Sequence, residues 1–543
     1  MTECLNLPLE IVSLEAQAGH ACALRFDGVT NLPCENVAHL GRRFDRVARS
    51  LADNPSLTTP TGDWSYGELL AAARTIASRL RQSASFHAGS RVLLLLPNSF
   101  EYLASFYGTL MAGGVCVPVA PRIERRQLEL ICQSTGASQL ISQPRVLRSR
   151  TEEWHVPVDR VVLCGEDKRP VDLEIDNASE DSLAAIFFTG GSSGTPKGVM
   201  LSHRNLIANA QSIRQYLGIQ PDDRPLCVLP FYHAFGNSVL QSHILAGAHL
   251  VIDGNVTFPE TIVEALAKHD ATSLSGVPDL FRFLLERSSL GATALPQLRY
   301  MSVAGGALPH ELSLQVAARI APAQFFVMYG QTEATARLAY IPPEHFAELG
   351  RGCIGRAIPG VELEVVDETG LPVAADSVGE IRARGPNIML GYWQDPALSH
   401  ETVRDGWLYT GDLATVDAQG WIYHRGRRSA LIKIAGYRLH PADVEDFVLR
   451  ELPLQQAVLV PFEDSDLGTR LALFARPRGD ARDLTSVRIV ARCRAELPRY
   501  MVPDLVELVD EFPLNDALKI DRPRLSTRAA EMIAQSRILR HVA

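Results

Sequence analysis

A chain of 543 residues is too long for one hydrophobic core and divides into at least two domains. Its composition, 46% hydrophobic and 21% charged, is that of a folded globular protein and excludes a long disordered or fibrous tract. The formal net charge of −9, with Lys and Arg scattered rather than in runs, leaves no basic footprint for nucleic acid, so any bound nucleotide must be held by local geometry.

Nine cysteines, an odd number without a CxxC pair, argue against a disulfide framework or a zinc site and point to a reducing, cytoplasmic compartment. The opening MTECLNLPLEIV carries Glu3 and no Lys or Arg before its short apolar stretch, which does not fit a secretory signal. The uncharged stretch 105–121 is broken by Gly108, Gly113, Gly114 and Pro118, so no transmembrane helix is expected.

In chain order, residues 65–82 open with Ser65 and Glu68 at capping-box spacing and place Leu69, Leu70, Ala73, Ile76, Ala77 and Leu80 on one helical face. RVLLLLPN (91–98) reads as a buried strand, 100–111 as a helix, and GVCVPVAP as a second strand. Further apolar runs at 139–141, 161–164, 184–188, 226–229, 249–252 and 325–328 continue the rhythm of an α/β fold with a largely parallel sheet. From about 360 to 426, short segments such as VELEVVD, GEIRARG and GWIYHRG between turn residues predict a β-rich part. A helix in ADVEDFVLREL and strands near 457–460 and 471–475 then predict a small α+β domain. The expected division is an N-terminal domain over 1–427 and a C-terminal domain over 428–543.

The strongest local signal is FFTGGSSGTPKGVMLSHRN, 187–205. Thr189, Gly191, Ser192, Ser193, Gly194 and Thr195 offer hydroxyls or bare backbone, Gly194 and Gly198 permit positive φ, and Lys197 supplies a cation. That is the chemistry of a phosphate cradle, with a surface turn as the bland alternative. It is not a Walker A loop, because Pro196 precedes the Lys and the strand-like VML follows where a helix should start.

This segment resembles the nucleotide loop of the adenylate-forming superfamily: acyl-CoA and aryl-CoA synthetases, peptide-synthetase adenylation domains and luciferases. The other family motifs follow in order from about residue 40 to 525. VLPFYHAFG (228–236) is similar to the segment lining the acid pocket, which implies that His233, with Ala234 and Gln331, lies near the substrate carboxylate. SVAGGALP (302–309) and VMYGQTEAT (327–335) resemble the adenine- and acid-binding segments. Gly305, Gly306 and Ala307 would let backbone lie close to flat rings, and Tyr329, beside Gly330, has a face on which adenine can stack. The resemblance gives Thr332 an α-phosphate contact and Glu333 a magnesium, for which a carboxylate is a suitable hard donor. WLYTGDLATVD (407–417) resembles the ribose-binding segment, which implies that Asp412 accepts from both ribose hydroxyls. GRRSALIKIAGYRLHPADVE (426–445) resembles the hinge and the start of the small domain, with Arg427 near ribose or phosphate and Lys433 and Gly436 along a thiol tunnel. EFPLNDALKIDRPRL (511–525) resembles the terminal segment with its catalytic Lys, here Lys519.

The implied activity joins a carboxylic acid to AMP, releases pyrophosphate and passes the acyl group to a thiol, with ATP and magnesium as the required partners. The family rotates its small domain at the hinge between the two steps. Three positions depart from the commonest pattern: Gly190 stands for Ser, Ser429 occupies the hinge, and Leu518 replaces the Gly before the Lys. Amino-acid-activating members carry an Asp where this chain has Ala234, so an acid without an α-amine is expected. Coenzyme A is the expected acceptor, the alternative being the phosphopantetheine arm of a separate carrier protein. A non-catalytic nucleotide- or acyl-binding relative is the reading of another class.

Overall fold

The computed structural model describes residues 39–148, 160–163, 174–176, 178–189, 196–428, 431–434, 437–464, 468–479, 481, 483–514 and 520–542. The chain folds as a mixed α/β protein with a large N-terminal domain and a smaller C-terminal one. Ser65 and Glu68 form both halves of a capping box on the helix Tyr66–Arg81, and all six apolar residues expected on its inner face are buried. Five-residue strands at Arg91–Leu95 and Val115–Val119 flank the helix Phe100–Ala112, which is buried along most of its length.

Two sheets organise the large domain. In the seven-stranded sheet, Val115–Val119, Arg91–Leu95, Gln139–Ser142 and Arg160–Leu163 run parallel, and Leu183–Thr189 joins them in the same sense. The sheet is largely parallel as expected, and antiparallel only at one edge: Leu183–Thr189 and Lys197–Ser202 form a hairpin, because so short a connection cannot carry a parallel crossover. Gly198 lies inside that hairpin rather than at a positive φ. A Cβ there would come within 2.9 Å of Ile186 Cγ2, so glycine serves packing.

The larger sheet has fourteen strands. Its centre is parallel, with Pro225–Leu226 beside Ser273–Gly276, then Tyr300–Val303, then Gln324–Tyr329. Beyond Gln324–Tyr329 the sheet turns antiparallel through Ala339–Ile341, Cys353–Ala357, Ile422–Arg427 and Trp407–Val416, so the β-rich part expected from about 360 begins two strands earlier. The runs at 226–229 and 249–252 yield only two-residue strands, Pro225–Leu226 and Leu250–Val251.

In the small domain, Leu454–Asp464 pairs antiparallel with Gly468–Pro477, and Leu505–Leu508 pairs parallel with the latter. The helices Pro441–Glu451 and Ser486–Glu496 cover one face, whose core includes Val444, Val448, Leu459 and Leu473. The helix Arg522–Val542 covers the other, meeting Val458, Val460 and Phe474 through Leu525 and Ala529. At the start of the small domain, Ile432–Ile434 and Tyr437–Leu439 pair antiparallel.

Candidate active site

Three of the motif segments leave the same edge of the larger sheet. Residues 228–236 follow Pro225–Leu226, Gly305 to Ala307 follow Tyr300–Val303, and Tyr329 ends Gln324–Tyr329 just before Gln331, Thr332 and Glu333. These strands run parallel, with Ser273–Gly276 between the first two, so the carboxyl ends gather where open α/β sheets hold ligands. Gly305 has φ +89°, which a side chain rarely adopts, and Gly306 and Ala307 are exposed.

The pocket segment is fixed from below. Asn98 Oδ1 accepts from Phe231 N at 2.8 Å, its Nδ2 donates to Leu229 O at 2.7 Å, and Tyr102 Oη donates to Phe231 O at 2.7 Å. His233 is the N-cap residue of the helix Ala234–Ile244 and its ring lies 4.6 Å from that of Tyr232. Ala234 is the first residue of that helix, so no carboxylate stands at the position of an α-amine partner.

Asp412 sits at the antiparallel end of the same sheet, directly opposite Arg427 in register. It is 2% exposed. Tyr329 Oη donates to its Oδ2 at 2.6 Å, Arg427 Nε donates to Oδ1 at 3.1 Å, and His424 Nε2 lies 3.5 Å from Oδ1. Burial pushes the carboxyl up, but His424, the Arg427 charge and the Tyr329 bond together outweigh it and hold the group below its ordinary range. The result is a buried, ionised acceptor beside Tyr329.

Glu333 lies in the short turn Thr332–Ala334 and accepts from Tyr392 Oη at 2.7 Å. Lys197 Nζ lies 5.7 Å from the centroid of the same Tyr392 ring, and Thr189 is opposite Lys197 in the hairpin. Tyr392 belongs to the edge strand Gly391–Tyr392 of the seven-stranded sheet, so its hydroxyl ties the phosphate-loop hairpin to the glutamate of the other sheet. Burial first, then the Glu333 charge, raises the phenol's pKa and keeps it a donor. Gly330 is held against the following turn: a Cβ there would stand 2.1 Å from Ala336 O.

Gly191, Ser192, Ser193, Gly194 and Thr195 lie outside the described residues, as do Gly190, Ser429, Gly436, Leu518 and Lys519; Lys433 is described only as backbone of Ile432–Ile434. The sequence reading missed Tyr392, His424 and Asn387. Asn387 binds Ala334 O at 3.1 Å and Arg337 O at 2.8 Å. The available signal was ARGPNIMLGYW, a Gly/Pro/Asn turn running into an aromatic pair without periodicity.

A buried ionised carboxylate, an aromatic face, and a glutamate and a lysine that meet the same Tyr392 side chain between the two sheets are compatible with the chemistry of a nucleotide-dependent ligase. The profile of the AMP-binding enzyme family matches residues 44–393 and that of the AMP-binding enzyme C-terminal domain matches 443–519, and the chain belongs to this family of AMP-forming acid–thiol ligases. It is 28% identical over 531 residues to a long-chain-fatty-acid–CoA ligase of Salmonella typhimurium, covering 90% of this chain and 94% of that protein. A feruloyl-CoA synthase of an Amycolatopsis species is 29% identical over 461 residues, covering 84% and 92%. The solved structure of ATP-bound MatB from Rhodopseudomonas palustris superposes with a TM-score of 0.79 at 25% identity, covering 91% of this chain and 99% of that one. No helix among the described residues is long and apolar enough to cross a membrane.

Proposed function

We propose that the enzyme activates an acyl or aryl acid without an α-amine and transfers it to coenzyme A. The observation that carries the reading is the buried Asp412 carboxylate, pre-set by Tyr329, His424 and Arg427 to accept from vicinal hydroxyls. Tyr329 stacks adenine beside the exposed backbone of Gly306 and Ala307. Thr189 and Lys197, with the loop between them, face the polyphosphate, and Thr332 binds the α-phosphate. The acid enters along His233, Ala234 and Gln331, and its carboxylate attacks the α-phosphorus as pyrophosphate leaves. Lys519, carried by the small domain over 428–543, neutralises charge between the two anions.

The residues present fit a magnesium held mainly through ATP. No group of three or more His, Cys, Asp or Glu gathers among the described residues, and Glu333, bonded to the Tyr392 whose ring Lys197 approaches, is the carboxylate that would meet the metal. Magnesium, when bound, spreads the charge of the polyphosphate.

The names of the curated relatives favour coenzyme A over a carrier-bound phosphopantetheine. The test is ATP–pyrophosphate exchange with a mixed acid pool, with mass spectrometry of acyl-adenylates and then of thioesters formed with coenzyme A or a carrier protein. Exchange without a coenzyme A thioester, but with a carrier-bound one, replaces the acceptor. No exchange with any acid would make the chain a binding protein.

A further inference from the structure

Arg337 is among the largest fully buried side chains of the protein, 2% exposed, and carries a charge that interiors hold only with a partner. Its guanidinium meets no carboxylate among the described residues. Nη1 donates to Ala336 O at 3.1 Å, Cζ stands 4.0 Å from the centroid of the Phe235 ring, and the phenol of Tyr216 is its other polar neighbour. Nε has no hydrogen-bond partner among the described residues. Burial lowers the group's pKa and Tyr216 only partly offsets this.

The backbone works to keep the side chain there. Thr335 and Ala336, immediately before it, both have positive φ, 55° and 92°, an arrangement that non-glycine residues adopt at a cost. The turn is clamped by Asn387, whose carbonyl accepts from Thr335 Oγ1 at 2.6 Å and whose amide binds Ala334 O and Arg337 O. Phe235, under the guanidinium, is two residues beyond His233 in the pocket segment, and Arg337 is four beyond Glu333 in the nucleotide segment. The buried cation therefore lies where the two segments meet.

We propose that Arg337 closes the acid pocket and pairs with a second anionic group of the substrate, so that the enzyme prefers acids bearing a carboxylate, or an acceptor of similar strength, away from the reacting carboxyl. This rests on the acid-activating reading given above and narrows its substrate. A plain alkyl chain brought against the guanidinium would leave a desolvated charge without a counter-ion, whereas a carboxylate offers two oxygens in the geometry that the planar fork matches.

The test is ATP–pyrophosphate exchange with acids matched in length, hexanoate against adipate, octanoate against suberate, and benzoate against its carboxy and hydroxy derivatives. Wild-type enzyme and the variants Arg337→Met and Arg337→Lys are compared. The expected result is a kcat/KM at least tenfold higher for the second member of a matched pair, reversed in Arg337→Met and partly kept in Arg337→Lys. A guanidinium that only packs on Phe235 would alter all acids alike and leave the ratios unchanged. Equal or better use of the monocarboxylates by the wild type, or an unchanged ratio in a folded Arg337→Met, overturns the inference and leaves the ligase reading standing. Exchange with none of the acids overturns both. If circular dichroism shows Arg337→Met unfolded, the wild-type ratios and Arg337→Lys decide.

Discussion

Tyr392 donates to Glu333 Oε1 at 2.7 Å and so joins an edge strand of one sheet to the turn after the central strand of the other. That bond orients a carboxylate proposed to meet magnesium. Glu333→Gln should raise the magnesium concentration giving half-maximal exchange and lose most activity at low magnesium, because a neutral amide is a poorer ligand for a hard cation. Tyr392→Phe, which frees the carboxylate to rotate, should shift the same curve by a smaller factor. A magnesium titration of exchange in the three proteins checks both, and an unmoved curve for Glu333→Gln removes the residue from the metal site.

Asp412 has three donors around it and is ionised in its buried site. Asp412→Ala should raise the KM for ATP by roughly tenfold or more, since each bond to a charged acceptor is worth about 1.5–3 kcal/mol. The same variant should discriminate less between ATP and 2′-deoxy-ATP than the wild type does. Equal discrimination in both proteins would mean that the carboxylate does not meet the 2′-hydroxyl.

Two glycines of the nucleotide segments separate packing from contact with ligand. At Gly330 a Cβ would press on Ala336 O at 2.1 Å, so Gly330→Ala should displace the turn carrying Glu333 and Arg337 and lower stability by about 1–3 kcal/mol. At Gly306 a Cβ would meet only the Pro278 ring, Cγ at 3.4 Å and Cδ at 3.7 Å. Gly306→Ala should therefore leave stability within about 0.5 kcal/mol of the wild type while raising the KM for ATP. Thermal unfolding and exchange kinetics on the pair measure the contrast.

The larger elements were legible where one physical signal dominated. The Ser65–Glu68 capping box and the stripe from Leu69 to Leu80 set one helix, and uninterrupted apolar runs set the buried strands. Motif order singled out Asp412 and Glu333 as candidates. Their partners were not legible, because Tyr392 and His424 reach them through sheet pairing: Tyr392 opposite Val199, and His424 three residues before the partner of Asp412. Arg337 was passed over for a related reason. Its sequence neighbours Ala336 and Leu338 give no sign that the chain turns the guanidinium inward onto Phe235, a residue about a hundred positions away.

His39 and His203 stack with ring centroids 3.9 Å apart, and both are buried. Burial lowers their pKa values to about 4 and about 3, with the neighbouring ring adding to the effect at His203. The folded state thus binds fewer protons than the unfolded one below pH 6.5, so this stability is complete above 6.5 and is lost as pH falls toward 4. At full titration the loss is on the order of 3 kcal/mol for His39 and 5 kcal/mol for His203. His203→Gln, which keeps an acceptor for Leu40 N, should flatten the decline between pH 6.5 and 4.5. Denaturant melts at several pH values test it, and parallel curves for the two proteins would assign the acid sensitivity to other groups.

Glu286, at the end of the helix Pro278–Arg287, binds across to the small domain: its carboxylate accepts from Arg476 Nη2 at 3.2 Å and from Gln455, while Arg282 Nη1 holds it at 3.5 Å from its own helix. Arg287 pairs with Glu511 beside it. These contacts exist only while the small domain keeps this orientation, and a domain that turns between adenylation and thioester formation must break them. Glu286→Ala should consequently move the two half-reactions in opposite directions, slowing the one performed in this orientation and speeding the other. Partly buried ion pairs of this kind are worth about 1 kcal/mol, which corresponds to roughly fivefold between the two rates. The fold should survive, since the carboxylate supports no core residue. The check is pre-steady-state formation of acyl-adenylate from ATP, and of thioester from supplied acyl-adenylate, on wild type and variant at low and high salt. Opposite shifts that shrink at high salt support the clamp, and equal changes in both steps would show that Glu286 does not distinguish the two orientations.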